Sequence, residues 1–530
     1  MTHTGTAIGT GRRIIFRGGA VLSPDVPDAT ALCVDGDTIA WLGPDIGLAP
    51  YADGADEIVD LGGRLVTPAF VDAHVHTSQT GHRLAGLDLS AVRSRQGLLA
   101  SLAVFARERS DAVVLGFGWD ETGWPDPQLP TGQELDRAAP ERAVYLARVD
   151  VHSALVSGAL LAKAPAMADA AGWDGTGRVE RDAHHLARDA VQGLITRSQR
   201  RDAIAAALEA AARAGLGCLH EMAAPHVNPA DDLTLIDELA VERPTVEVVR
   251  YWGEHVASGG VEHTQLLGCV GAAGDLCVDG AFGSRTAALC GPYADRPGHS
   301  GHLYLDAAAV AEHVAACTQA GLQAGFHCIG DAAVAAVGEG FRLAEKLVGT
   351  QRLVAARHRL EHVEMVTPEL VGLFASYGVV VSGQPAFDAA WGGAGGMYAA
   401  RLGAERALDT NPWERFVRAG VRLAFGSDSP VTPFDPWGGV RAAAWHHDAR
   451  ARISVDDAFA AHTSGGWYAA GEDDGGVLRT GADATFAVWD AEGPGLPPVA
   501  PEVDLPRCLR TVVLGQTVHD SGGLRSGGHR

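Results

Sequence analysis

The chain has 530 residues, 47% of them hydrophobic and 20% charged, with a formal net charge of −23 at pH 7. That length allows one large barrel with an accessory domain and a substantial core, while the acidic balance excludes a nucleic-acid binder, because no basic surface can be assembled from it. There is no run of about 18 apolar residues to span a membrane, residues 1–13 lack the apolar core of a signal peptide, and the eight cysteines form no paired framework; a cytoplasmic protein acting on a small molecule is expected, with a homodimer left open.

From Ile14 to about Arg64 short apolar runs are split by turn residues, with Asp35-Gly36 between two of them, the mark of hairpins in a small β module. The apolar run from Leu65 then reads as a buried strand that ends Phe70-Val71-Asp72-Ala73-His74-Val75-His76. Side chains alternate along a strand, so His74 and His76 fall on one face about 7 Å apart. Two imidazoles so placed can chelate a divalent metal. A bare His-x-His is as readily a surface loop, but the buried strand before it favours the chelate.

Residues about 87–200 read as an insertion, with strands over 113–118 and 144–149 and Pro/Gly-rich connections. An insertion after a barrel strand lies over the mouth, so this one is expected to set substrate selectivity. Trp119 and Asp120 within it, together with Trp252, are expected to line the pocket. Further strands are expected at 216–222, 246–252, 276–279, 323–328, 359–363, 379–384 and 423–428, alternating with Ala-rich helical segments. With the first they make eight, the number that closes a (β/α)8 TIM-like barrel over residues 67–475. Strand-like texture returns at 482–490 and 510–518, so residues 1–66 and 476–530 are expected to form one β-sandwich.

Polar residues at the C-terminal ends of barrel strands converge on one mouth. His327 ends strand five, His362 strand six and Asp428 strand eight. Singly, each reads as a hydrogen-bonded strand end or a turn; with His74 and His76 they form a metal-ligand set. Period-two geometry puts Asp275, Cys277 and Asp279 on one face of strand four, and with Glu221 they are candidate additional ligands, the plainer reading being strand-end hydrogen bonding or a buried thiol. Arg285 could hold a substrate carbonyl or carboxylate, or form a loop salt bridge. Asp331 reads as a helix N-cap, and His184, His185, His446 and His447 read as solvated.

The chain resembles the amidohydrolase superfamily, and within it the YtcJ-like branch known as amidohydrolase family 3. The likeness runs from Thr67-Pro68-Ala69-Phe70-Val71-Asp72-Ala73-His74-Val75-His76 through Asp279-Gly280-Ala281-Phe282-Gly283-Ser284-Arg285 and His327-Cys328-Ile329-Gly330-Asp331 to Gly426-Ser427-Asp428-Ser429-Pro430 and Gly481-Ala482-Asp483. The resemblance implies a hydrolase with one or two divalent metals, commonly zinc. His74, His76 and Asp428 would hold the more buried ion and His327 and His362 the second, with Asp428 and His362 as catalytic residues and Asp428 moving the proton of the attacking water. Relatives often carry a Lys at the position of Asp275, and a carbamylated Lys on strand four bridges two metals in many superfamily members; Asp is too short for that reach, which puts the second metal in doubt. The expected activity is hydrolysis of an amide or other non-peptide C–N bond, with N-substituted formamide deformylase activity known in the branch. A one-metal deaminase of a heterocycle and a non-catalytic ligand-binding barrel are the alternatives.

Overall fold

The central sheet of the computed structural model, which describes residues 11–527, has eight parallel strands arranged in chain order. They are β1 Phe70–Val75, β2 Leu216–Ala223, β3 Glu247–Trp252, β4 Gly271–Ala272, β5 Gln323–Cys328, β6 Arg359–His362, β7 Val380–Gly383 and β8 Arg422–Phe425. Every residue of β1, β2 and β5 is buried, as expected for strands covered on both faces. The first residues of the chain, part of the stretch read as lacking a signal peptide, lie outside the described residues.

Helices cover the outside of the barrel. Arg197–Arg213 starts at a capping box formed by Thr196 and Gln199, and its buried Ala203, Ile204, Ala207, Leu208 and Ala211 make the three-to-four spacing that packs on the strands. Ala307–Ala320 is capped by the Asp306 carboxylate and ends at Gly321, whose φ of +70° suits glycine.

The barrel closes where its last strand meets its first. The Asp428 amide donates to the His74 carbonyl at 2.8 Å, and the His76 amide donates to the Ser429 carbonyl at 2.9 Å. Gly426 permits this approach: a Cβ there would lie 2.6 Å from the His74 amide nitrogen and 2.7 Å from the Asp72 carboxylate. That carboxylate in turn accepts from the Ser427 amide at 2.8 Å.

Strand four departs from the sequence reading. Its ladder is Gly271–Ala272 rather than 276–279; Gly274, with φ of +89°, breaks the strand, and Cys277 returns only as an isolated bridge to His327. Small residues at 271–274 give the ladder no side chains to pack, and the break cancels the alternation assumed for Asp275, Cys277 and Asp279.

The insertion carries its own five-stranded sheet: Leu87–Asp88, Val113–Trp119, Ala143–Arg148, Ser153–Val156 and Arg178–Glu180. Only the two longer strands are visible in the sequence, because two to four residues show no usable period. Strands from both ends of the chain supply two further five-stranded sheets, one around Arg13–Arg17 and one joining Arg64–Pro68 to Phe486–Glu492. Phe16 and Phe486 meet edge to face between them at 5.0 Å. The Trp489 indole donates to the Thr67 hydroxyl at 2.9 Å, and its ring lies 5.6 Å from that of Phe70 on β1. Among the described residues, no helix is long and apolar enough to cross a membrane.

Candidate metal centre

His74 and His76 leave the end of β1 on the same face, with ring centroids 5.3 Å apart. His74 Nε2 lies 3.4 Å from Asp275 Oδ1 and 3.6 Å from Asp428 Oδ1. His76 Nε2 lies 3.3 Å from Asp275 Oδ2 and 3.2 Å from Asp428 Oδ1. On the opposite side His327 Nδ1 is 3.7 Å from Asp275 Oδ1, and the His327 and His362 rings are 4.4 Å apart. These side chains form three overlapping groups, His74/His76/Asp275, His74/His362/Asp428 and Asp275/His327/His362, with the donor atoms of each group within 4.8 Å of one another.

The donor set fits a divalent cation. His74 Nε2, His362 Nε2, Asp275 Oδ1 and Asp428 Oδ1 are all buried without a hydrogen-bond partner, a costly arrangement unless something else engages them. Nitrogen and oxygen donors about 2.1 Å from a common tetrahedral ion stand about 3.4 Å apart, close to the separations between these atoms.

Three of the four imidazoles are oriented by the nitrogen that faces away from the cluster, whereas His76 Nδ1 is buried without a partner. His74 Nδ1 donates to Glu361 Oε2 at 2.9 Å, and Arg359 holds Glu361 through contacts of 2.6 and 3.0 Å. His362 Nδ1 donates to Gln384 Oε1 at 2.7 Å, and His327 Nε2 to the Gly280 carbonyl at 3.2 Å. Such partners fix the tautomer and leave the other nitrogen for a ligand role. His362 and Asp428 sit at φ of +71° and +53°, a left-handed strain that marks functional positions when the fold sustains it.

Charge shapes the site as well. Burial opposes protonation of His76, but the Asp275 and Asp428 carboxylates outweigh it and raise its pKa to about 9. His74 is likewise raised well above the usual imidazole value despite burial, by Asp428, Asp275 and Glu361. Asp275 is held well below the carboxylate range, because His76, His327 and His74 overcome its burial. Protons and a cation therefore compete for the same atoms.

Several sequence expectations need correction. Of the candidate additional ligands Asp275 alone joins the cluster, in two of the three donor groups, and the alternation that linked it to Cys277 and Asp279 fails at the break at Gly274. Asp279 is committed elsewhere: its buried carboxylate accepts from the amides of Ala288 (2.8 Å), Ile329 (2.9 Å) and Gly330 (2.8 Å). Glu221 accepts from the Thr77 amide at 2.7 Å, and Cys277 Sγ lies 3.9 Å from His226 Nε2; neither joins a donor group. Arg285 pairs with Asp295 at 2.7 Å, so the loop salt bridge describes it. Trp119 is buried with its indole on the Leu146 carbonyl, Asp120 pairs with Arg148, and the Trp252 indole donates to Glu254, which places all three in packing or ion pairs away from the pocket. Gly330 is the N-cap and Asp331 the first residue of its helix, accepting from the Cys290 amide at 2.9 Å. His446 is buried against Asp388, and His184 is buried with its Nε2 accepting from the Tyr145 hydroxyl at 2.7 Å.

Two lobes of cavity open from the donor cluster. One is lined by Phe282, Phe387, Trp391, Met397 and Tyr398, the other by His152, His184, His185, Arg188 and His226. Sequence reasoning missed most of these residues, although the Arg181-His184-His185-Arg188 spacing of one helical face was a usable signal.

The model of the amidohydrolase family matches residues 57–519. The Bacillus subtilis (strain 168) protein YtcJ, named as an amidohydrolase, is 27% identical over 517 residues, spanning 89% of this chain and 92% of its own. An uncharacterized metal-dependent hydrolase from Pyrococcus furiosus is 25% identical with a TM-score of 0.70, covering 90% of this chain and 99% of that one. The zinc complex of atrazine chlorohydrolase TrzN from Arthrobacter aurescens TC1 is 17% identical with a TM-score of 0.50, covering 96% of this chain and 95% of its own, a likeness of fold alone.

Proposed function

The chain belongs to the amidohydrolase family, and from that premise we propose that it hydrolyses an amide or related non-peptide C–N bond of a small molecule, of the N-acyl or N-formyl amine type. The observation that supports this most is the convergence of four buried, unpartnered donor atoms, on His74, His362, Asp275 and Asp428, at the end of the barrel. A divalent ion in such a site, zinc by analogy with the TrzN complex, polarises a carbonyl oxygen and lowers the pKa of water towards about 7.

The remaining work falls to the protein's own groups. Asp428, 3.2 Å from His76 Nε2, would accept the proton of the attacking water and return it to the departing nitrogen. His362, held by Gln384, presents Nε2 to the same space and can hydrogen-bond the substrate oxygen when it is not a ligand. Asp275 stays ionised and, as a member of two of the three donor groups, would help to hold a cation there.

The test is metal analysis on the same preparation that is screened against N-acyl amines, N-formyl amines and heterocycles. The expected result is stoichiometric metal together with amide cleavage that chelation abolishes and metal restores. Ammonia release from a heterocycle without amide cleavage would replace this reading with deamination, and failure to take up metal would overturn both.

A further inference from the structure

The two lobes over the donor cluster differ in chemistry and meet at His152, His327 and Asp428. One is mainly aromatic and aliphatic, lined by Phe282, Phe387, Trp391, Met397 and Val431, and apart from the shared Asp428 its carboxylates, Asp150 and Glu364, are engaged by Arg148 and the Tyr398 hydroxyl. The other is bounded by the helix Arg181–Gln192, which contributes Arg181, His184, His185 and Arg188 to its wall. Positions i, i+3, i+4 and i+7 lie on one helical face, so a single face turns two guanidinium groups and two imidazoles towards the site.

The imidazoles continue inward: the His185 and His226 rings are 5.0 Å apart, and those of His152 and His327 are 5.1 Å apart. The carboxylates of this lobe are Asp275 and Asp428, both members of the donor set. Arg188 donates to the Val151 carbonyl at 2.6 Å, and Arg181 Nε is buried without a partner. Neither arginine forms an ion pair among the described residues, whereas nearby Arg148, Arg178 and Arg401 all do.

We propose that this face of the helix Arg181–Gln192 binds a carboxylate carried by the substrate, and that the hydrolysed bond lies between that carboxylate and an aryl or alkyl group seated in the apolar lobe. A guanidinium matches the planar carboxylate with paired N–H donors, and the surrounding imidazoles supply further donors without adding acids. In the reaction the C–N bond breaks and a C–O bond forms; water gives its oxygen to the acyl product and its protons to the amine. The assignment of the lobes rests on the hydrolase reading, but the anion site can be tested apart from it.

The probes are N-(3-phenylpropanoyl) derivatives of glycine, β-alanine and 4-aminobutanoate, each beside its neutral carboxamide. Metal-loaded wild-type protein is expected to prefer at least one carboxylate by about tenfold or more in kcat/KM, chiefly through KM, the effect of one charge-assisted contact. Arg188→Gln should bring that ratio near unity, and Arg188→Lys should restore part of it. Equal treatment of every pair by the wild type, or a preference that survives both Arg188→Gln and Arg181→Gln, overturns the proposal. Equilibrium binding of the same pairs to wild-type protein freed of metal by a chelator, which cannot turn them over, separates the two readings. Selective binding of carboxylates without wild-type turnover keeps the anion site and removes the hydrolysis; turnover of carboxamides without selectivity removes the anion site and keeps the hydrolysis; binding of no carboxylate overturns the site.

Discussion

At Asp275 one carboxylate faces His74, His76 and His327 within 3.3 to 3.7 Å. Removing it takes a donor from two of the three groups, so Asp275→Ala should lower metal affinity or turnover by at least about a hundredfold, beyond the usual cost of losing an outer partner; titration of metal into the apo-protein measures it. Glu361→Gln keeps the shape but loses the charge that orients His74, and should cost about 10- to 100-fold. His76, with its pKa raised to about 9, holds a proton through the neutral range. A cation must displace it, so metal affinity should fall as pH falls below about 9, and calorimetry in buffers of different ionisation enthalpy should show proton release on binding. The His-x-His pair and Asp428 were readable because their types and strand-end positions announce ligands. Asp275 was readable only as one of four candidate additional ligands, since what separates it from Cys277 and Asp279 is the backbone break at Gly274.

The element that most needs holding is the insertion, and buried charge holds it. Arg148 is fully buried among Asp120 (2.7 Å), Glu121 (2.9 Å) and Asp150 (3.0 Å). Arg401, on the helix Met397–Leu402, reaches Glu121 at 3.0 Å and Asp295 at 2.7 Å. The network thus ties the insertion to the loop after β4 and to that helix. Arg148→Met would take the shared guanidinium from three buried or half-buried carboxylates, of which Glu121 keeps Arg401, and should cost about 3–5 kcal/mol, read as a lowered midpoint of thermal unfolding. Burial would raise the Glu121 pKa, but Arg148 and Arg401 hold it at about 2, below its ordinary 4.5. Its contribution to stability is therefore complete above about pH 4.5 and is lost as pH falls towards 2; Glu121→Gln should flatten the acid limb of the stability curve over that window. The sequence could not separate this network from a substrate pocket. Asp120 and Arg285 lie in connecting loops, and a charged loop residue looks the same whether it meets a ligand or a neighbour.

Across the whole molecule, the barrel was legible because fully buried strands read as apolar runs between Ala-rich helices, and the sandwich because hairpin signals recur at both ends. The insertion's short strands were hidden by their length; the cationic face of the helix Arg181–Gln192 is legible in its Arg181-His184-His185-Arg188 spacing, although paired histidines on a polar helix also read as solvated. The sandwich packs on the start of β1 through Trp489, whose ring lies 5.6 Å from that of Phe70 and 5.5 Å from that of Trp437. Trp489→Ala should cost about 3–5 kcal/mol and loosen metal retention as well, which chelator competition would show. The seam between β1 and β8 also has a consequence for biosynthesis. His76 and Asp428 bracket nearly the entire barrel in the chain, yet the amide contacts at Asp428 and His76 make them neighbours. A nascent chain that has not passed Ser429 owns the two histidines but no seam to set them against, and fragments ending before Arg422 should not retain metal. An ion bound at this seam would therefore be acquired after the ribosome has finished the eighth strand, and would act as a clasp on the ring.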